Sequence, residues 1–325
     1  MVEVVGTVKE LWRYPVKSMV GESVSSVQIE AYGVVGDRLW AVRDDDVGEI
    51  TGVRKKPKLL TCSARYCEQP VGDLNDKDVP AIDVTMPSGE VLNSSDSGLA
   101  SALTSLLGSS VSLHPLQPKS NKKHYRIATT VGAKEIKRQF ASKELPDMSS
   151  FSWAQLGELM LFVTPLGRHY DVYPLHLLTT NSLKKMAEIE PEGDFDTRRF
   201  RPNIVIESPA GEVGFDEFTW LGGTLSIGDT VIKCATRTVR CSAPAQPQAG
   251  MAKSAKVVKA LSQHTGRNMG INATIIKGGN IKLGDEVRWT PANKSALAEA
   301  VTGIGAKVKN SIIHTMMKGV DLVSK

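Results

Sequence analysis

Residues 226–233, SIGDTVIK, and residues 282–289, KLGDEVRW, each put a Gly-Asp turn in front of an alternating strand. A tight turn that launches a half-buried strand, used twice in one region, marks a small β-barrel rather than a helical bundle. The two phrases share turn chemistry and are not a sequence repeat. Around them the spacing predicts strands at 203–206, 225–227, 230–234, 272–276 and 286–289, with helices over 180–189 and 255–263.

Working outward, the first hundred residues read as short strands at 2–12, 24–31, 38–43, 59–66, 81–86 and 90–92, cut by Gly33, Gly36, Gly48, Pro57, Gly72, Pro87 and Gly89. One helix interrupts them, GLASALTSLLG, with Asp96 as its N-cap and Gly108 as its stop. Residues 115–125, PLQPKSNKKHY, read as a surface connection and the domain boundary. After Pro291, Leu297, Val301, Ile304, Val308, Ile312, Met316 and Val320 recur every three or four positions, an amphipathic helix. That helix docks on its own protein or on a sister subunit. Alternatively, with Lys307, Lys309 and Lys318, it lies on a membrane surface. The expected fold is α+β: an N-terminal β-rich, barrel-like domain over 1–118, a β-barrel domain with peripheral helices over 119–290, and a C-terminal amphipathic helix over 291–325.

Composition narrows the function classes. With 41% hydrophobic and 23% charged residues in 325, the chain is globular and long enough for two domains. Its net charge of +5 is not gathered into one stretch, which favours an anionic ligand; without a dense Lys/Arg stripe, nucleic acid is not expected. No run of eighteen apolar residues and no secretory leader is visible. Cys62, Cys67, Cys234 and Cys241 form neither a disulfide framework nor a CxxC pair, so a reducing cytoplasm is the expected setting.

Cys241 is the most informative of the four. Arg240 precedes it and SAPAQPQAG follows, so it sits where a strand gives way to a loop. A loop thiol beside a guanidinium is the kind that bonds a soft metal or attacks an electrophile. The other three cysteines read as small buried hydrophobes. Three further phrases place basic residues at turns: YPVKS at 14–18, GDRLW at 36–40 and RRFRPN at 198–203. Lys17, Arg38 and Arg201 together would cradle an anion, with Ser18 and Asn203 adding neutral hydrogen bonds. Taken singly, each reads rather as a solvated charge or a structural ion pair.

These phrases and the strand ending in Arg240-Cys241, in this order and spacing, resemble the family that joins an N-terminal MOSC β-barrel domain to a MOSC domain. The mitochondrial amidoxime reducing component and its bacterial relatives belong to that family. The resemblance covers residues 1 to about 290. It implies a molybdenum cofactor (Mo-molybdopterin) with Cys241 as metal ligand, Lys17, Ser18, Arg38, Arg201, Asn203 and Arg240 around the pterin and phosphate, and Tyr173 touching the cofactor. Asp171, in RHYDVYPLHLLTTNSL, would relay protons or merely cap a turn; His169 and His176 read as packing or surface residues. The implied reaction is two-electron reduction of an N-hydroxylated compound, with electrons from a separate flavodoxin- or ferredoxin-like donor. The open alternatives are a carrier that turns nothing over and sulfur transfer through a Cys241 persulfide. Two departures stand out: SAPAQPQAG replaces a phrase like TTVDPxTG, and Val239 replaces a small polar residue.

Overall fold

The computed structural model describes residues 2–72, 78–128, 131–140, 143–145, 148–149, 151–211, 213–292 and 308–320. Seven strands close into a barrel. Around the ring run Glu3–Arg13, Ile204–Glu207, Leu175–Thr179, Asn268–Lys277, Thr230–Val239, Thr224–Ile227 and Glu286–Thr290, which pairs back onto Glu3–Arg13. All pairings are antiparallel except Leu175–Thr179 with Ile204–Glu207. That parallel pair needs a crossover, and helix Thr180–Ile189 supplies it, with the Thr179 hydroxyl accepting from Ser182 N as N-cap.

The barrel's closing strand is thus the first one in the chain. Its lower half pairs with Glu286–Thr290 (Thr7 opposite Glu286) and its upper half with Ile204–Glu207 (Leu11 opposite Ile204). Gly6, at φ +149°, makes the bend between the two halves possible: a Cβ there would lie 2.3 Å from Glu207 O. Alternate residues Val8, Leu177, Ile206, Leu225, Ile232 and Ile271 fill the interior, with Ile29 of a neighbouring sheet in the same cluster. A cut at 118 therefore separates two stretches of sequence, while the barrel itself draws on both.

The N-terminal stretch builds a second core on Val16, Met19, Leu39, Val42, Leu59, Ile82 and Leu103. Over it lie two three-stranded sheets, Val111–Pro115/Trp40–Asp44/Glu49–Ile50 and Ser63–Tyr66/Ile82–Thr85/Val91–Asn93. A third, Gly279–Lys282/Ser26–Glu30/Gly33–Val34, again mixes the two ends of the chain.

Several local expectations change. The stretch 24–31 splits into Glu22–Val24 and Ser26–Glu30, which join different sheets. The stretch 59–66 begins as a 3-10 turn, Pro57–Thr61, because Pro57 starts a helical turn readily and lacks an N–H for a ladder. Asp96 does not cap helix Gly98–Leu107; its carboxylate accepts from Asn93 N at 2.6 Å, and Ser97 holds the cap position. Gly108 does end that helix, at φ +71°. The connection 115–125 buries His124 and Tyr125. Cys67 is exposed, whereas Cys62 and Cys234 are buried.

The tail helix, residues 308–320, lies on the protein's own surface: Ile313 and Met317 pack against Ala133 of helix Ala133–Gln139 and Leu156 of helix Trp153–Leu161. The stripe Val308, Ile312 and Met316 points outward instead. Leu297, Val301 and Ile304 lie outside the described residues. No described helix is long and apolar enough to cross a membrane.

Candidate functional site

Three left-handed turns build the site. Among the described residues four that are not glycine adopt positive φ: Ser18 (69°), Arg38 (53°), Arg201 (52°) and Arg267 (70°). The first three come from the three phrases picked out in the sequence. This conformation is costly for side chains other than Gly and Asn, and it concentrates where a structure has a use for it.

Tyr14 is the platform under the turns. Fully enclosed, it donates its hydroxyl to Pro202 O at 3.0 Å, and the guanidinium carbons of Arg201 and Arg38 lie 4.2 and 5.0 Å from its ring centre. Burial raises its pKa far above the ordinary value against the pull of Arg201 and Arg38, so it stays a neutral aromatic floor. Arg38 pairs with Asp37. Arg201 donates one N–H to Met19 O, while its Nη2 is buried with no partner among the described residues. Burial, reinforced by the nearby Arg38, brings Arg201 down to about 10.

Lys17 is 6% exposed and donates to His169 O at 3.0 Å and to Asp171 Oδ1 at 2.5 Å. Burial lowers its pKa and the Asp171 carboxylate opposes that. The Asp171 side chain is 70% exposed, so its carboxylate stands open to solvent beside the buried Lys17. Burial alone would raise its pKa, but Lys17, Arg54 and Arg38 outweigh that and hold it far below the carboxylate range. Ser18 accepts from Val53 N at 2.9 Å. Gly52 leaves room for it, since a Cβ there would come within 2.9 Å of Ser18 Oγ.

Cys241 follows the strand Thr230–Val239, whose pairing with Asn268–Lys277 slips at Cys234/Thr236 and Arg237/Val239 before the chain leaves the sheet. It is partly exposed. Arg240 donates to Phe200 O at 2.8 Å; burial lowers its pKa, opposed by Cys241, Asp171 and Tyr14. Cys241, Asp171 and the basic turns therefore share one electrostatic neighbourhood.

Not every expected residue faces this space. Asn203 is 1% exposed and its amide is spent on the backbone, accepting from His176 N and donating to Trp12 O. It fixes the register of the strands behind Arg201. Tyr173 stacks on Phe151, ring centres 6.2 Å apart. His169 and His176 are buried packing residues; burial takes His176 down to about 3.

Two residues escaped the sequence reading. Arg54 acts on both Lys17 and Asp171 and donates to Gln139 Oε1 at 3.1 Å, a fifth cation at the site beside Lys17, Arg38, Arg201 and Arg240. Arg199 is 1% exposed and donates to Asp194 Oδ2 and to the carbonyls of Pro244 (3.1 Å), Gln246 (3.2 Å) and Ala252 (2.7 Å), pinning the loop after Cys241. Only its place in RRFRPN, two positions before Arg201, hinted at it.

Comparison with known proteins places the chain in a family. The MOSC N-terminal beta barrel domain matches residues 5–103 and the MOSC domain residues 168–288. Human mitochondrial amidoxime reducing component 2 is 27% identical over 259 residues, covering 73% of this chain and 65% of that protein. Human mitochondrial amidoxime-reducing component 1 is 28% identical over 258 residues, covering 74% and 66%. A bovine component 2 is 42% identical over 66 residues, 19% of each chain. The chain thus spans just under two thirds of the human relatives' length. Among solved structures, the YUAD protein from Bacillus subtilis aligns over 89% of this chain and 98% of its own, with 12% identity and a TM-score of 0.41. With both domains present in this order, the chain belongs to the MOSC proteins that carry an MOSC N-terminal β-barrel domain and is similar to the mitochondrial amidoxime reducing components.

Proposed function

We propose that the chain holds a molybdenum cofactor in the basic cradle, with Cys241 as the metal ligand, and reduces N-hydroxylated small molecules such as hydroxylamines and amidoximes. The observation that carries this reading is Arg201: a strained turn aims a guanidinium whose Nη2 is buried and, among the described residues, unpartnered, in a region that also holds Lys17, Arg38, Arg54 and Arg240. An orphaned buried donor of this kind costs about 1–3 kcal/mol until an acceptor arrives. Phosphate and pterin oxygens are such acceptors, and the residues present fit them. Among the described residues no three His, Cys, Asp or Glu gather to hold a metal, so a metal at Cys241 is one that brings further ligands with it.

When bound, the cofactor supplies the two-electron oxygen-atom chemistry. The protein's part is position and charge. Arg38, Arg54, Arg201 and Arg240 offset the anionic charge, and Ser18, already accepting from Val53, has its hydroxyl proton left to donate. Reducing an N-hydroxylated compound consumes two electrons and two protons and releases one water. Lys17 and Asp171 sit where a proton would enter from solvent, Asp171 as the ionised partner and Lys17 as the proton-bearing one. Asp171 gains a proton readily only when an anionic ligand offsets the cations that now depress its pKa. Electrons come from a separate flavodoxin- or ferredoxin-like protein, and a reducing cytoplasm suits the four free cysteines.

The test is elemental analysis of purified protein together with fluorescence of the released, oxidised pterin. About one molybdenum per chain is expected, lost in Cys241→Ala. Metal-free protein that carries a persulfide on Cys241 would replace this reading with sulfur transfer. Loaded protein that turns over no amidoxime with any supplied donor would replace it with a carrier.

A further inference from the structure

Two neighbouring helices each leave an apolar stripe uncovered. On Trp153–Leu161 the exposed positions Trp153, Gly157, Met160 and Leu161 fall at i, i+4, i+7 and i+8, one face of the helix, while Leu156 turns inward. On the tail helix Val308, Ile312 and Met316 line up in the same way, beside Ile313 and Met317, which pack inward with Leu156. Lys309, three positions before Ile312, lies over the Trp153 ring at 5.2 Å, so the two stripes meet there. Six of the thirteen large hydrophobic side chains that are exposed among the described residues belong to these two helices, each 41–56% exposed. The other seven are Val, Ile and Leu on other segments, whereas the one Trp and both Met of the thirteen are here. Exposed apolar residues scattered over a surface are ordinary; a stripe of them that runs across two helices marks a contact surface.

A basic edge borders the stripes. Ile127 N donates to Leu161 O at 3.0 Å and Arg126 pairs with Phe162, so the segment 122–127 lies along the end of Trp153–Leu161. On that segment Lys122, Lys123 and Arg126 are exposed, and the sequence holds no acidic residue from Leu116 to Lys134. The described part of the tail helix carries Lys309 and Lys318 and no acid, and Glu158, the one acid of Trp153–Leu161, accepts from Leu166 N. A second copy of the chain is a poor occupant, since a two-fold contact would set this face against itself, cations facing cations. An anionic bilayer suits it: aliphatic side chains and Met enter the acyl boundary, Trp sits at headgroup level, and Lys and Arg reach the phosphates on their long stems.

We propose that this face attaches the protein to an anionic lipid surface, lying on it without crossing it. The proposal does not depend on the reading of Cys241, and its test needs no cofactor. Co-sedimentation of the full chain would use vesicles of phosphatidylcholine, with and without about a third of phosphatidylglycerol. Binding should be about tenfold or more tighter to the anionic vesicles and should fall as salt rises to about 0.5 M. Ile312→Glu with Met316→Glu should abolish it, and Lys122→Glu with Arg126→Glu should weaken it about tenfold. Both double variants should keep native circular dichroism, because the four side chains are exposed. Brominated lipid should quench part of the tryptophan fluorescence, and Trp153→Phe should remove that part. No binding to anionic vesicles at low salt overturns the proposal, as does equal binding to neutral ones or binding that survives both double variants. A dimer dissolved by the Ile312→Glu, Met316→Glu pair, in a chain that ignores vesicles, would give the face to a second copy. Low-salt binding of an acidic flavodoxin, lost with Lys122→Glu and Arg126→Glu and again without vesicle binding, would give it to a protein partner.

Discussion

Arg199 and Arg201 stand two positions apart and are used differently: Arg199 is spent on Asp194 and three backbone carbonyls, whereas Arg201 keeps, among the described residues, a buried Nη2 without a partner. Replacing Arg199 with Ala strips partners from the carbonyls of Pro244, Gln246 and Ala252 and leaves Asp194 alone, a loss of about 3–5 kcal/mol for a buried, multiply bonded charge. Thermal unfolding should show it, together with faster alkylation of Cys241 as its loop loosens; unchanged alkylation would count against the pinning. Replacing Arg38 or Arg201 with Ala should instead weaken cofactor retention about ten- to a hundredfold, the roughly 1.5–3 kcal/mol of one charge-assisted hydrogen bond. Full molybdenum in both variants after dialysis would mean that the cradle is misplaced. Lys17, Ser18, Arg38 and Arg201 were legible because each stands in a turn phrase. Arg54 and Arg199 were not: Arg54 is one of three consecutive basic residues, Arg54 to Lys56, and Arg199 shares its phrase with Arg198 and Arg201, so nothing local says which of the neighbouring cations is turned inward. Asn203 was legible as a polar residue in a motif, but the strand register that consumes its amide appears only in three dimensions.

Helix Thr180–Ile189 begins over a buried carboxyl. Glu217 is fully buried and accepts from the hydroxyls of Thr179 at 2.6 Å and Ser182 at 2.7 Å; burial pushes its pKa from 4.5 up to about 7 against those hydrogen bonds. A carboxyl with a higher pKa in the folded chain favours folding fully below about 4.5 and loses that contribution as pH rises through about 7. The stability gap between Glu217→Gln and wild type should therefore shift in the variant's favour by on the order of 1–3 kcal/mol from pH 5 to pH 8. The difference must be read, because burial lowers the pKa values of His124, His169 and His176 and so pulls stability down as pH falls below 6.5. A gap independent of pH in chemical denaturation would refute the assignment. At the other end, helix Ala133–Gln139 links the tail to the site: Gln139 O accepts from Ser242, and Ile313 and Met317 pack on the same helix layer. Deletion from Pro291 onward should keep the cofactor within about twofold, cost roughly 3–5 kcal/mol of burial, and open Trp153–Leu161 to protease. Insoluble protein that cannot be refolded would show the tail to be core. Most elements were legible from alternation and turn residues. Leu175–Thr179 was not, since LHLLT is buried on both faces and shows no alternation.

The whole molecule is one interleaved object. Strand Glu3–Arg13 fills the seam between Ile204–Glu207 and Glu286–Thr290, so a chain beginning at Tyr14 would carry two open edges in an otherwise closed barrel. Such a truncation should aggregate, and a synthetic peptide of Glu3–Arg13 added during refolding should restore a soluble monomer by size-exclusion chromatography. A soluble truncation with native circular dichroism would show that the seam closes without it. The Gly-Asp turns made the barrel legible in the sequence. Its closure by the first strand was not, because pairing across nearly 280 residues leaves no local mark.

That seam also sets an order of events during protein synthesis. The first strand leaves the ribosome long before Glu286–Thr290 exists, and until then its apolar face has no finished barrel to join. Arg201, Arg240 and Cys241 likewise emerge after Lys17 and Arg38, so the two walls of the cradle meet only once residue 241 has been made. Folding is therefore late and non-local, with a high entropic threshold and a long interval of exposed strand edges that favours chaperone capture. A ligand that bridges early and late residues can be held only after both have been made and brought together.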